Sequence, residues 1–172
     1  MLTLVLGGAR SGKSRYAESL IAKLPPPWVY IATAEAGDVE MAARISAHRA
    51  RRGPDWRTIE APRDLAGALS ACDVAPVLVD CLTLWLSNLM LANADIDAET
   101  ARLEHALATA KAPVVLVANE VGSGIVPEHA LGRRFRDLQG VLNQRIAAHA
   151  DCVTLMVAGL PLTVKSAEDL SP

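Results

Sequence analysis

Short, mostly apolar runs alternate with helix-forming stretches along all 172 residues of the chain. Runs bounded by Pro, Gly or polar residues predict strands. The predicted strands are 2–6, 28–32, 56–60, 77–80, 114–118 and, as the last one, 152–157. The stretches between them predict helices at 15–22, 38–52, 65–72, 83–92, 97–111 and 131–150. This alternation is typical of an α/β fold in which helices cover both faces of a mostly parallel sheet.

Composition and charge narrow the class of protein further. No repeat or linker divides the pattern, so we expect one domain over residues 1–172. A formal net charge of −2 gives no electrostatic reason to expect nucleic-acid binding. The longest apolar stretch, 82–92, is too short to span a bilayer, and no signal-peptide pattern opens the chain. Three cysteines without a C-x-x-C pair predict reduced thiols. We therefore expect a cytoplasmic enzyme domain without membrane insertion.

The sequence between the first predicted strand and helix is a complete phosphate-binding motif, G-x-x-x-x-G-K-S. Its residues are Gly7, Gly8, Ala9, Arg10, Ser11, Gly12, Lys13 and Ser14. Glycines let successive N–H groups face one anion, and the helix N-terminus also favours the phosphate. Lys13 can reach the outer phosphates, and the Ser14 hydroxyl can ligate Mg²⁺. The strand before the motif and the helix after it are the context that nucleotide binding requires.

Polar residues follow several predicted strands, and parallel strands bring such residues to one edge of the sheet. These residues are Thr33, Glu60, Asp80, Asn119 and Glu120. Asp80 stands where proteins with this motif keep the carboxylate that holds Mg²⁺, although it could instead cap the following helix. The loop 119–127 is either a plain connection or a ligand-contacting lid.

The predicted helix 38–52 carries an unusual basic cluster. Arg44, His48 and Arg52 lie four residues apart on one face, and Arg49 and Arg51 lie beside them. The cluster is either a solvated basic surface or a site for a polyanion. In the second case, neighbouring cations disfavour protonation of His48 and leave it nucleophilic. The arginines would then stabilise the charge that develops during attack on a nucleotide α-phosphate.

Taken together, the motifs resemble the family of bifunctional adenosylcobinamide kinase / adenosylcobinamide-phosphate guanylyltransferases. The resemblance spans almost the whole chain, and the ordered set of segments makes it specific. The segments are 7–14, 30–34, 40–45 with His48, 56–60, 80–83, 119–122, 124–127 and 135–137 with Asn143 and Gln144. Some members have a second histidine before the matching one, where this chain has Ala47.

The resemblance implies a RecA-like fold, a homotrimer and two reactions of cobalamin biosynthesis. The family phosphorylates adenosylcobinamide with ATP or GTP, and then transfers GMP from GTP to adenosylcobinamide phosphate. The products of the second reaction are adenosylcobinamide-GDP and pyrophosphate. The resemblance implies that His48 carries the guanylyl group and that Lys13 serves phosphoryl transfer. The nucleotide contacts that it implies beyond the loop are Thr33, Ala34, Glu35, Arg49, Ala50, Arg51, Arg52, Glu60 and Asp80.

Two other functions are compatible with the motifs. A kinase for another small hydroxyl-bearing metabolite would need Lys13, Ser14 and Asp80 but no covalent nucleotide. A nucleotide-gated regulatory module would bind GTP without forming a product. A stable GMP adduct distinguishes both from the bifunctional enzyme.

Overall fold

The structure is a computed structural model that describes residues 1–35, 52–72 and 74–166. All of the predicted helix 38–52 except Arg52 lies outside the described residues, and so does His48. The elements below therefore cover the described part of the chain.

Within the described part of the chain, seven strands and five helices follow one another in the order that the apolar pattern predicts, apart from one extra strand. The strands are β1 Leu2–Gly7, β2 Trp28–Ala32, β3 Trp56–Glu60, β4 Val77–Asp80, β5 Val114–Asn119, β6 Cys152–Val157 and β7 Leu160–Lys165. The helices are α1 Lys13–Ile21, α2 Leu65–Ser70, α3 Leu82–Leu91, α4 Ile96–Thr109 and α5 Ala130–His149. Predicted and observed boundaries of the shared elements differ by at most two residues, which is the usual uncertainty of helix ends.

All seven strands form one sheet in the order β3-β2-β4-β5-β1-β6-β7. Every neighbouring pair is parallel except the antiparallel pair of β6 and β7. Gly7 on β1 lies opposite Asn119 on β5, while Ala32 on β2 lies opposite both Glu60 and Asp80. The carboxyl ends of β1 to β5 therefore meet at one edge of the sheet, as the sequence predicts.

The prediction that 152–157 is the last strand is wrong, because β7 follows it after a two-residue turn. Ala158 and Gly159 both have positive φ, 52° and 82°. Positive φ at both central residues gives a hairpin turn whose twist matches that of the flanking strands. Pro161 lies in β7, which a strand at the edge of a sheet tolerates.

Two apolar clusters hold the helices on opposite faces of the sheet. On one face, α1 buries Ala17 and Ile21 against Val5 and Leu78. On the other face, α2 to α5 pack on alternate residues of the same strands, such as Leu4 and Val79. This arrangement confirms the prediction of helices on both faces. It holds the loop between β1 and α1 on a rigid base.

Candidate nucleotide-binding site

The phosphate-binding loop takes a conformation that its glycines make accessible. Gly12 has a φ of 92° and forms the N-cap of α1. A Cβ at Gly7 would lie 2.5 Å from the Ser11 hydroxyl, so only glycine fits this close approach. At Gly8, in contrast, no atom of the described residues lies within 4 Å of the position of a Cβ. The loop is therefore tight at its base and open at its outer side.

Lys13 and Ser14 occupy the first turn of α1 and are partly exposed. The Lys13 ammonium group lies across the loop, where Nζ donates to the Gly8 carbonyl over 3.0 Å. Gly12 has no side chain that could cap the helix. The first N–H groups of α1 can therefore donate hydrogen bonds to an anion. This combination of a cation and helical N–H groups is suited to a polyphosphate.

The turn between β6 and β7 supports the loop from behind. The N–H of Gly159 donates to the Ser11 carbonyl over 3.1 Å. A Cβ at Gly12 would lie 3.5 Å from the Gly159 Cα, so the two backbones are close. Within the described part of the chain, the buried Ser11 hydroxyl oxygen has no hydrogen-bond partner. The turn that leads into β7, a strand that the sequence does not predict, thus supports the phosphate-binding loop.

Asp80 ends β4 at the same edge of the sheet and is partly exposed. The Tyr30 hydroxyl donates to its Oδ2 over 3.2 Å. The N-cap residue of α3 is Cys81 and not Asp80, so the helix-capping interpretation of Asp80 is not realised. Asp80 is thus available as a ligand at the position where the motif predicts one.

Burial and the neighbouring Asp80 charge raise the pKa of Tyr30 well above its usual range, and the Arg52 charge opposes this only partly. Tyr30 is therefore protonated and acts as the donor. Burial, together with the Asp80 charge, also raises the pKa of the Cys81 thiol to about 11. Cys81 is a neutral thiol near pH 7 and is not a nucleophile.

Arg52 is the member of the basic cluster that the structure describes. Its Cζ lies 3.5 Å from the centroid of the Tyr30 ring, which is a cation–π contact. Among the described residues, its Nη1 is buried without a hydrogen-bond partner. The last residue of the basic segment therefore lies next to the tyrosine that contacts Asp80.

Thr33 is fully buried, and its hydroxyl serves the junction between β4 and α3. The hydroxyl donates to the Cys81 carbonyl over 2.7 Å and accepts from the Cys81 N–H over 2.8 Å. Asn88 on α3 donates to the carbonyls of Thr33 and Pro62. In this structure Thr33 holds the backbone beside Asp80, and a direct contact with nucleotide stays a prediction.

The other predicted contacts at this edge differ in exposure. Ala34 is partly buried, whereas Glu35 and Glu60 are exposed. The Glu35 carboxylate lies 3.6 Å from the guanidinium of Arg63. Their role in nucleotide binding stays a prediction.

The loop after β5 is held beside the phosphate-binding loop by its first residues. The N–H of Glu120 donates to the Gly7 carbonyl over 3.1 Å. The Glu120 carboxylate accepts from the N–H groups of Gly122 and Ser123, at 2.8 and 3.2 Å. Partial burial raises the pKa of Glu120, but these hydrogen bonds outweigh it and lower the pKa overall. Glu120 thus shapes its own loop.

The donor set fits a hard divalent cation. Ser14 offers a hydroxyl and Asp80 a carboxylate, and both side chains are partly exposed at the carboxyl edge of the sheet. Oxygen ligands of this kind, completed by water and substrate phosphates, suit Mg²⁺. The fold and a nucleotide substrate are thus compatible with a divalent metal ion.

Comparison with known proteins decides the family. Residues 3–164 match the family model described as cobinamide kinase / cobinamide phosphate guanyltransferase. The chain belongs to this family. One relative, the bifunctional adenosylcobalamin biosynthesis protein CobP of Pseudomonas aeruginosa, is 49% identical over 96% of this chain and 98% of its own length. Another, the bifunctional adenosylcobalamin biosynthesis protein CobU of Salmonella typhimurium, is 45% identical over 96% of this chain and 100% of its own length. Family membership confirms the resemblance that the motifs indicate.

Similar solved structures confirm the fold class. An ATPase of a type III secretion system of pathogenic bacteria superposes with a TM-score of 0.56 and 11% identity, over 94% of this chain and 56% of that chain. The RadB recombinase superposes with a TM-score of 0.50 and 16% identity, over 90% of this chain and 73% of that chain. At these identities the likeness concerns the fold alone, which is a P-loop, RecA-like fold. In the described residues, no helix is both long and apolar enough to cross a membrane.

Two residues that shape this site, Tyr30 and Asn88, are not among the site residues that the sequence predicts. Each is a polar side chain in a mostly apolar element, the strand Trp28–Ala32 and the helix Leu82–Leu91. Buried hydroxyl and amide groups require hydrogen-bond partners. This requirement is the signal that could have identified them. Four other predicted residues, His48, Arg49, Ala50 and Arg51, lie outside the described residues.

Proposed function

We propose that this enzyme of cobalamin biosynthesis phosphorylates adenosylcobinamide with ATP or GTP, and then transfers GMP from GTP to the product. The observation that carries the proposal is a complete phosphate-binding loop and the carboxylate of Asp80 at one edge of the sheet, in a member of the cobinamide kinase / cobinamide phosphate guanyltransferase family. The relatives named as bifunctional adenosylcobalamin biosynthesis proteins support both halves of the proposal.

In the first reaction, positioning and charge neutralisation supply most of the catalysis. The N–H groups of the loop and of the first turn of α1 bind the triphosphate, and Lys13 neutralises the charge on the transferred phosphoryl group. Ser14 and Asp80 would hold Mg²⁺, which supplies further charge neutralisation on the phosphates when bound. The acceptor hydroxyl oxygen of adenosylcobinamide forms the new P–O bond as the bond to the leaving nucleoside diphosphate breaks, and the hydroxyl proton is released to water.

In the second reaction, we propose that His48 is the nucleophile. An imidazole nitrogen forms a bond to the α-phosphorus of GTP, and the bond from that phosphorus to pyrophosphate breaks. A phosphate oxygen of adenosylcobinamide phosphate then displaces the imidazole, which breaks the P–N bond and gives adenosylcobinamide-GDP. Splitting one displacement into two lowers each barrier. The position of Arg52 next to Tyr30 supports this proposal, because Arg52 ends the segment that carries His48.

The decisive experiment is incubation with α-³²P-labelled GTP and Mg²⁺, with wild type compared to His48→Ala. We expect a protein-bound label that is acid-labile and base-stable in wild type, as for a phosphoramidate, and absent in His48→Ala. His149→Ala, on the exposed end of α5, is the matched control and should label normally. Chasing the labelled protein with adenosylcobinamide phosphate should release the label as adenosylcobinamide-GDP.

Two other results would contradict parts of the proposed function. No label in folded wild type removes the covalent mechanism and leaves a kinase or a nucleotide-binding module. Kinase assays of Lys13→Ala then separate these two, because we expect that variant to lose activity by at least about 100-fold. Near-normal turnover of Lys13→Ala would contradict the role of the phosphate-binding loop.

We also propose a cytoplasmic homotrimer, on the resemblance to the family. Light scattering coupled to size-exclusion chromatography should give about three times the 18.2 kDa mass of the chain. A mass equal to that of one chain would contradict the proposal.

A further inference from the structure

Tyr30 is in direct contact with two residues that the proposed function uses in different ways. Its hydroxyl donates to Oδ2 of Asp80 over 3.2 Å, and its ring lies under the guanidinium of Arg52, with 3.5 Å between Cζ and the ring centroid. Asp80 belongs to the predicted metal site, whereas Arg52 belongs to the basic segment that carries His48. The buried Tyr30 side chain therefore contacts both the predicted metal site and the basic segment.

We propose that Tyr30 is a positioning residue that fixes the Asp80 carboxylate and the Arg52 guanidinium relative to each other. The inference rests on the proposed function, because it assigns a shared support to the metal-binding and guanylyl-transfer groups. Tyr30 itself touches neither metal nor nucleotide in this scheme.

The sheet register explains why this position can reach Asp80. Tyr30 lies opposite Leu78, and Ala32 lies opposite Asp80, so Tyr30 and Asp80 are diagonal neighbours on the same face. A long aromatic side chain can span such a diagonal. Tyr30 is 5% exposed, and its position is fixed further by a T-shaped contact with the Trp56 ring, with 6.3 Å between the ring centroids. Tyr30 therefore has little freedom to move, which a positioning residue requires.

Tyrosine combines both contacts in one side chain at this place. The phenol hydroxyl supplies the hydrogen bond to a carboxylate, and the ring face supplies the attraction for a guanidinium. Arg52 keeps a buried Nη1 without a partner among the described residues, so its donor is available to an oxyanion while the ring holds the group in place. The hydroxyl and the ring can be removed separately by mutation.

The test compares Tyr30→Phe, which keeps the ring, with Tyr30→Leu, which removes both contacts. The three readouts are the Mg²⁺ concentration for half-maximal binding of a fluorescent GTP analogue, the dissociation constant of that analogue in EDTA, and the rate of GMP adduct formation. For Tyr30→Phe we expect the Mg²⁺ concentration for half-maximal binding to rise about fivefold, because Asp80 loses one hydrogen bond, with no change in EDTA. For Tyr30→Leu we expect, in addition, adduct formation to slow about threefold or more, because Arg52 loses its support.

Thr109→Val removes an exposed hydroxyl that donates to carbonyls of its own helix, α4, and this control should behave as wild type in all three readouts. Thermal unfolding shows whether each variant folds, and Tyr30→Phe alone tests the Asp80 contact if Tyr30→Leu does not fold. Wild-type Mg²⁺ dependence in Tyr30→Phe would overturn the inference while leaving the proposed function intact. Wild type that binds no GTP would instead overturn both.

Discussion

At the scale of single residues, two glycines of the phosphate-binding loop differ in why a side chain is absent. Gly12 is required by its φ of 92°, which side-chain-bearing residues rarely adopt. Gly8 has open space around it, so none of the residues that the structure describes excludes a side chain there. We therefore propose that the absence of a Cβ at Gly8 serves close approach of a phosphate, and the two glycines should respond differently to substitution.

Gly12→Ala should lower the free energy of unfolding by about 1–2 kcal/mol, because alanine is strained at positive φ. Gly8→Ala should leave the unfolding free energy nearly unchanged but weaken GTP binding, since its Cβ would occupy the open side of the loop. Urea unfolding and GTP titration of both variants measure the two effects. Equal stability of Gly12→Ala and wild type would show that the backbone of the loop readjusts.

The residues of this site differ in how far the sequence predicts them. The phosphate-binding loop is contiguous, so its spacing alone predicts its position between β1 and α1. The contact between Tyr30 and Asp80 joins residues 50 positions apart. It exists only because β2 and β4 are neighbours, and an apolar pattern does not give the order of strands in a sheet.

At the scale of elements, β7 shows where the apolar pattern fails. Residues 160–164 of this strand are exposed, so no alternation of buried and exposed positions marks the strand. Its position is fixed instead by the turn at Ala158–Gly159 and by Lys165. The Lys165 ammonium donates to carbonyls at the end of α5, with a shortest distance of 2.6 Å to Ala150. Such long-range contacts cannot be seen in the local sequence.

The packing of α4 against α5 includes a charge network whose contribution depends on pH. Arg145 on α5 makes two hydrogen bonds to Glu104 on α4, at 2.8 and 2.6 Å. These bonds are the main cause that lowers the pKa of Glu104 below its ordinary value of 4.5. Because the folded state holds the carboxylate more strongly than the unfolded state, the stabilisation is present above pH 4.5 and is lost as the pH falls below it.

Glu104→Gln should therefore lower the free energy of unfolding by about 1 kcal/mol at pH 7, as expected for a bidentate, partly buried pair. The difference from wild type should shrink as the pH is lowered from 5 to 3. Urea unfolding across this range measures it. Glu99→Gln is the control on the same helix, where the pair with Arg102 is more exposed and the change should be smaller. A difference that is constant with pH would show that Glu104 stabilises the helices by packing and not by charge.

At the scale of the whole molecule, the candidate site lies where the elements are most strongly fixed. β1 is flanked by β5 and β6, and the loop that follows it is supported by the turn before β7. The parallel sheet and its ligand edge could be predicted, since alternating strands and helices imply them. The strand order and the supporting hairpin could not, because they depend on contacts between distant parts of the chain.

Because the loop is anchored in the centre of the sheet, nucleotide binding should stabilise the entire fold. At 100 times its dissociation constant, a ligand that binds only the folded state adds about 2.7 kcal/mol, which raises the melting temperature of a chain of this size by about 5–10 °C. An α,β-methylene analogue of GTP with Mg²⁺ should produce this shift, and it cannot form the GMP adduct. Lys13→Ala should lose most of this shift in melting temperature. His48→Ala should retain it, because we propose that His48 acts in adduct formation and not in nucleotide binding. Equal shifts in wild type and Lys13→Ala would mean that the nucleotide binds somewhere other than the loop that opens the chain.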